Sequence, residues 1–447
     1  MPVAVDQHLV PMTGTEASIT AYDAALDDLL AFRPAVLDHL GTFAEEFADV
    51  PMGHVLAGHL QLMSTDARDL DAVRAAVAAL DSLPCNPREL AHRNAIAAWC
   101  NGDWVAASAM LDDLLVHHPT DLLALMMGHQ LDFFLGDASN LRDRVGRSLG
   151  AIDHAHHHHA FVLGMRAFGL EESGDYAAAE DAARGALDVH RDDVWATHAL
   201  AHVHEMRGET AEGLDFLSAT EADWGSGNLF TVHLWWHHAL FLLEQHHIDE
   251  LLAVYDREIH HSRSSGVPME MLDASALLWR LHLDGIDSGP RFAALSDGWA
   301  ATGADVSWYA FNDAHAAMAH AGAGRLAQAR EVVARLERSL DAGGGRPGGN
   351  AAMIASAGLA AARSVVAFAE GRHDDVIELL VPTRRQLHRF GGSHAQRDAW
   401  QRTLIESAIR AGRRDLAEAL LRERLSTRPD NDFGRVRQQT LAGTARG

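Results

Sequence analysis

The sequence predicts an all-α protein made of repeated helix pairs, and three observations carry this reading. Apolar residues make up 48% of the 447-residue chain but aromatics only 6%, and much of the apolar share is Ala and Leu, the composition of helix-on-helix packing. The chain has twelve prolines and no alternating runs rich in Val, Ile and Thr, which argues against sheets. Glycine-centred turns recur between helical patterns with a spacing of 34, from Gly102 to Gly136 and from Gly174 to Gly208.

Taken in order, residues 1–15 are expected to form an irregular leader. From Glu16 the pattern is helical, with Ala21, Ala24, Ala25 and Leu29 at three- and four-residue steps. A second helix is expected through 34–47, and a third, carrying His54 and His59, through 52–59. Asn101-Gly-Asp-Trp104, Leu135-Gly-Asp137, Ser173-Gly-Asp-Tyr176 and Arg207-Gly-Glu209 read as helix–helix turns. Later turns are expected near 246–248, 283–288, 322–325, 370–373 and 411–415, at a looser spacing of roughly 38–47 residues. A period of 34 with Gly-Asp-Tyr and a small residue about eight positions on is the tetratricopeptide signature. Each unit is a helix A, a turn and a helix B; no unit buries its apolar face alone, so units stack. The expected fold is therefore a tetratricopeptide-type α-solenoid of roughly ten or eleven antiparallel helix pairs forming a right-handed superhelix. Residues 16–433 would form a single domain, 343–350 a loop that breaks one repeat, and 434–447 a flexible tail.

The formal charge is −25, from 37 basic and 62 acidic residues. Such a surface disfavours nucleic acid and anionic membranes, which gain nothing by counterion release from it. Every basic residue is Arg, and a chain without Lys has no Schiff-base or P-loop lysine chemistry. Cys85 and Cys100 have no CxxC partners, so neither a disulfide framework nor a cysteine zinc site is expected. The first eleven residues lack the basic start and apolar stretch of a signal peptide. No apolar run is expected to approach 18 residues, which points to a soluble, cytoplasmic protein. Walker A, Rossmann, HExxH and GxSxG motifs are all missing.

Residues 195–244 stand out. His198 and His202 are four apart, as are His233 and His237, and Glu205 is three beyond His202. That spacing stacks side chains on one face of a helix. Two such pairs on neighbouring helices would gather four imidazoles and a carboxylate, a metal cage, acid/base site or polar pocket. His54, His92, His129, Asp273, Asn312-Asp313-Ala-His315 and Gln396-Arg397-Asp398 also precede turns and fall on A-type helices, which line the inner face of such arrays. Plainer readings stand beside these. A lone His54, His92 or His129 fits a hydrogen-bonded core residue. Trp235 and Trp236 fit packing residues, or one of them a pocket wall. Asn312-Asp313 fits a helix N-cap, or a pair orienting a histidine or ligand amine. The run His154-Ala-His156-His157-His158-His159 is expected to point in divergent directions around a helix start, with loose surface metal affinity only.

The stretch 167–176 (Ala-Phe-Gly-Leu-Glu-Glu-Ser-Gly-Asp-Tyr), Trp195-x-x-His198-x-x-Ala-His202-x-His204-Glu205-Met206, His233-x-x-Trp236-His237-x-Ala-Leu240, Tyr255-Asp256, Phe311-Asn-Asp-Ala-His315 and Gly391-Gly-Ser-x-Ala-Gln396-Arg-Asp398 resembles the tetratricopeptide repeat protein 38 family. The likeness spans roughly residues 50–425 and does not include the histidine run. It implies an α-helical tetratricopeptide fold and a soluble protein, and singles out the polar inner-face residues without implying an activity.

Two functions follow as expectations. The first is an enzyme with a small polar substrate in the concave channel. His198, His202 or His237 would be general acid or base, Glu205 and Asp313 would tune the rings, and His315 would join the catalytic set. His54, His129, His233, Trp236, Asp273, Asn312, Gln396, Arg397 and Asp398 would bind substrate, Arg397 clamping a carboxylate or phosphate. Its concrete form is a metal-assisted hydrolase or lyase, with His198, His202, His233 and His237 holding a divalent ion such as zinc. The second is a non-catalytic scaffold for proteins or peptides, by analogy of fold. The same residues could also bind a metabolite or metal without turnover.

Overall fold

The computed structural model describes residues 3–303, 305–342 and 349–444. Among them the protein is all-α apart from one two-stranded sheet. The chain divides into two compact units: residues 1–200, 222–231 and 346–350 form one, and residues 201–221, 232–345 and 351–447 the other. A single domain over 16–433 is the sequence expectation. The division leaves no mark in the sequence because it falls inside the helix Val194–Arg207, where no Pro, Gly or Ser linker is needed.

In the first unit, consecutive helices pack as antiparallel neighbours: Pro87–Cys100 on Trp104–His117, Leu122–Leu135 on Ala138–Leu149, and His158–Glu172 on Tyr176–Leu187. The turns between them are closed by local chemistry. Gly102, Gly136 and Gly174 take left-handed φ of 83°, 68° and 83°, which costs a residue without Cβ nothing. The Asp that follows each glycine caps the next helix by accepting a backbone N–H three residues on. In the second unit the helix Pro268–Leu283 packs against both Arg291–Ala301 and Ala310–Gly322, and Ala310–Gly322 against both Leu326–Ala342 and Leu359–Ala369. Each leading helix thus touches its own partner and the next leading helix, the contact pattern of a helical repeat.

The leading and following helices differ in burial. In Leu122–Leu135, 11 of 14 residues are buried; in Pro268–Leu283, 13 of 16; in Ala310–Gly322, 12 of 13. Their partners bury one stripe only: 3 of 12 residues in Tyr176–Leu187 and 4 of 11 in Arg291–Ala301. A helix enclosed on nearly every face has no polar face for water, so polar residues on the leading helices are polar residues in the core.

Both expected ends are corrected. The leader is not irregular: Val3–Val5 pairs antiparallel with Pro11–Thr13, Val3 opposite Thr13. Burial of charged partners orders it. Asp6 pairs with Arg88 at 3.0 Å and accepts the His8 and Val10 backbone N–H groups, while Glu89 accepts the Thr13 N–H. Arg88 also reaches Asp121 at 2.7 Å, Asp121 takes His92 at 3.1 Å, and His92 meets His59. At the other end, helix Asp432–Thr444 replaces most of the expected tail. Phe433 is buried beneath the guanidinium groups of Arg402, Arg424 and Arg437, which gives that helix an anchor. Of the expected loop 343–350, residues 343–348 lie outside the described residues, as do 445–447.

A third correction concerns apolar length. Helix Asn350–Ala369 is long and apolar enough to cross a membrane by length and composition, and 61% of its apolar window is buried inside the protein. Its apolarity comes from many alanines, which periodicity counts as core.

Candidate functional site

The second unit gathers a histidine cluster from two helices. His202 and Glu205 come from Val194–Arg207, His233 and His237 from Thr231–Glu244. The four-residue spacing stacks His233 over His237, with ring centroids 4.8 Å apart, and His237 meets His202 at 4.5 Å. One ring nitrogen from each of His202, His233 and His237 lies within 4.8 Å of the others. Glu205 Oε2 stands 3.5 Å from His237 Nδ1. His198 lies one turn earlier on the helix of His202, in the part of the chain that belongs to the first unit, where its ring packs against Phe168 and Phe230.

A supporting layer fixes the cluster. His233 Nδ1 is 2.7 Å from Asp273 Oδ2, and Gln396 Nε2 donates to Asp273 Oδ1 at 3.1 Å. With the His233 N–H committed to Asp273, Nε2 keeps a lone pair for the cluster. Gln396 is held in turn: it forms a capping box with Ser393 at the start of His394–Arg410. Trp236 stacks on His233, with centroids 5.2 Å apart and planes at 19°. Arg280 lies over the Trp236 ring at 5.5 Å and donates to the Ala276 and Ala395 carbonyls.

Burial sets the charge of these rings. It pushes His202 well below its ordinary value, and the neighbouring His237 pushes the same way against Glu205. His237 is held well below by burial, then by His233 and Arg280. Both are neutral imidazoles near pH ~7, the form that coordinates a cation. Burial brings Arg280 down to about 10, leaving it cationic. Two buried ring nitrogens close by, Trp236 Nε1 and His315 Nε2, have no hydrogen-bond partner among the described residues. His315 donates through Nδ1 to Phe311 O at 2.8 Å, and burial lowers its pKa to about 4; it feels the charges of Asp273 and Arg280.

The remaining sequence candidates are placed elsewhere in hydrogen-bond terms. His54 bonds the Ala48 carbonyl. His129, in the first unit, bonds Met165 O and packs edge-on to Trp195. Asn312 and Asp313 are inside the first turn of Ala310–Gly322, whose N-cap is Tyr309, so the N-cap alternative is corrected: the helix starts earlier. Asn312 is buried. Asp313 takes Ser307 Oγ and Arg335, each at 2.5 Å. Arg397 donates to the Gly391 and Gly392 carbonyls. Asp398 is ringed by Arg402 and Arg424, which overcome burial and hold its pKa well below the ordinary value.

Sequence reading missed Arg280 and Glu244. Glu244 binds Arg402 and Asn431. The signal for Arg280 is present: one arginine directly after the apolar run from Ala276 to Trp279 and before Leu281, a residue that rarely enters a core without a task.

No family model matches the chain.

Proposed function

We propose that the second unit holds a divalent transition metal on His202, His233 and His237, zinc first among candidates, and uses it on a small polar substrate as a hydrolase or lyase. The observation that carries this is the His233–Asp273–Gln396 chain. A ligating histidine typically donates its other N–H to a carboxylate that is itself hydrogen-bonded, and a histidine that only fills a core needs no such series. A tetrahedral zinc with nitrogens at roughly 2.0–2.1 Å spaces its donors about 3.3 Å apart. Closing from 4.8 Å or less asks for small side-chain rotations only. A water bound beside these histidines would have its proton made labile by the metal. Glu205 stands where it could take that proton. Arg280, cationic and buried, favours an anionic or strongly polar substrate.

The helical repeat is taken as a tetratricopeptide-type solenoid related to the tetratricopeptide repeat protein 38 family, working in the cytoplasm. A peptide-binding scaffold is disfavoured, because the leading helices that would form its groove are buried on nearly every face.

The test is zinc titration of the chelator-treated, full-length, untagged protein by calorimetry. His202→Ala/His237→Ala should lose one equivalent while keeping its helical circular dichroism. Asp273→Asn should keep the equivalent but bind roughly 10–100-fold more weakly. A folded double variant with unchanged stoichiometry overturns the proposal.

A further inference from the structure

The histidine run that sequence reading sets aside is built into a second cluster, in the first unit. His158 opens the helix His158–Glu172 and is fully buried, and His8, in the loop between the two strands, is buried beside it. His8 Nε2 lies 2.8 Å from His158 Nδ1. On the far side of the same ring, His158 Nε2 lies 2.7 Å from Asp27 Oδ1. His156 brings a third ring, its centroid 4.4 Å from that of His8 and 4.9 Å from that of His158. One nitrogen from each of His8, His156 and His158 falls within 4.8 Å of the others.

We infer that His8, His156 and His158 form a second divalent-metal site, a clip that fastens the N-terminal hairpin to the start of helix His158–Glu172. The Asp27 carboxylate beside Nε2 favours the tautomer of His158 with its proton on that nitrogen, so Nδ1 presents a lone pair towards His8. Asp27 is itself steadied by Gln7 Nε2 at 2.9 Å. The His8 backbone is pinned on both sides: its N–H donates to Asp6 Oδ1 at 2.9 Å, and its carbonyl accepts from Thr120 Oγ1 at 3.0 Å. The donor set is held by elements far apart in the chain, which a loose surface run does not achieve. Metal entry needs no net proton loss: neutral His8 moves its N–H from Nε2 to Nδ1 as Nε2 turns to the ion, and His156, whose Nδ1 accepts the His158 backbone N–H at 3.2 Å, either gives up that bond to ligate or moves its own N–H from Nε2 to Nδ1. Imidazole donors with an outer carboxylate suit zinc, cobalt or nickel over magnesium or calcium. Half-buried His156 leaves the remaining coordination position to water.

This site is independent of the one in the second unit and is tested separately from it. Zinc is titrated calorimetrically into the chelator-treated, full-length, untagged protein in the His202→Ala/His237→Ala background, so that binding there reports the first unit alone. One equivalent should remain. His8→Gln, which keeps a hydrogen-bonding side chain towards His158, should abolish it; His157→Ala/His159→Ala should leave it intact. In wild type, saturating zinc should slow amide hydrogen exchange across residues 3–13. The inference is overturned if His8→Gln retains the equivalent. It is also overturned if the His157→Ala/His159→Ala variant loses it, which would mean binding to the surface run, or if zinc leaves exchange in residues 3–13 unchanged.

Discussion

Replacing Arg88 with Met removes the hub of the first unit's polar core. Arg88 is almost completely buried and makes ion pairs at 2.7 Å to Asp121 and 3.0 Å to Asp6, with further bonds to Tyr22 Oη and the Pro11 carbonyl. Met fills similar volume but leaves two buried carboxylates without their cation. Breaking a buried pair by removing one partner costs about 3–5 kcal/mol, and with two acids bereft the upper part of that range is expected. Adding Asp6→Asn and Asp121→Asn should return most of the loss, since a neutral core tolerates the missing charge. The pH dependence gives a second reading. Burial alone would raise the pKa of Asp121, but Arg88 and His92 outweigh it and hold it well below the ordinary value. In wild type the Asp121 contribution is therefore present above the unfolded pKa of about 4 and is lost as pH falls through the folded value. In Arg88→Met burial prevails and the folded pKa rises, so the penalty is absent below about 4 and grows as pH increases. The stability gap between the two proteins should narrow from about pH 7 to about pH 5. Urea denaturation at both pH values measures it. A loss below about 1 kcal/mol, or a gap that widens on acidification, refutes the reasoning.

Two further outcomes are expected. Asp193 is fully buried and accepts the Trp195 and Ala196 N–H groups at 2.9 and 3.2 Å, yet burial outweighs these bonds and pushes its pKa up to about 8. Its favourable contribution is complete below the unfolded pKa of about 4 and is lost as pH rises towards the folded value, at about 1.4 kcal/mol per pH unit. Asp193→Asn should flatten that slope in urea midpoints and raise stability near neutrality, whereas an unchanged slope would contradict the assignment. His246 holds φ 59° at a turn where the neighbouring Gly208 and Gly285 have 78° and 74°. His246→Gly relieves a strain of about 1–2 kcal/mol and gives up an exposed contact with Asp432 worth about 0–1 kcal/mol. A modest rise in melting temperature is expected, and a fall would show that the Asp432 contact outweighs the strain.

What the sequence makes legible here is local chemistry. Gly102-Asp103, Gly136-Asp137 and Gly174-Asp175 announce turn and cap together, because the left-handed residue and the capping carboxylate are adjacent in the chain. The pairs His202/Glu205 and His233/His237 are legible for the same reason, since helix periodicity converts spacing into a shared face. Distant partners are not legible. Nothing around Asp6 or His8 says that Arg88 and His158 await them, so the leader reads as irregular. Phe433 looks like a stray aromatic until three arginines cover it. Asp398 looks like a substrate group because a buried ion network and a binding site draw on the same residue types.

The His8–His158 contact spans 150 residues, and that distance has a consequence in time. A ribosome adds roughly 5–20 residues per second, so His8 leaves the exit tunnel about 8–30 s before His158 follows. Helix pairs between them can close on neighbours already made, and Asp6 and Thr13 can meet Arg88 and Glu89 once those emerge, whereas the His8 ring must wait for the start of a helix not yet synthesised. Until then the His8 side chain lacks the partner that buries it, and the loop that carries it remains open to chaperones and proteases.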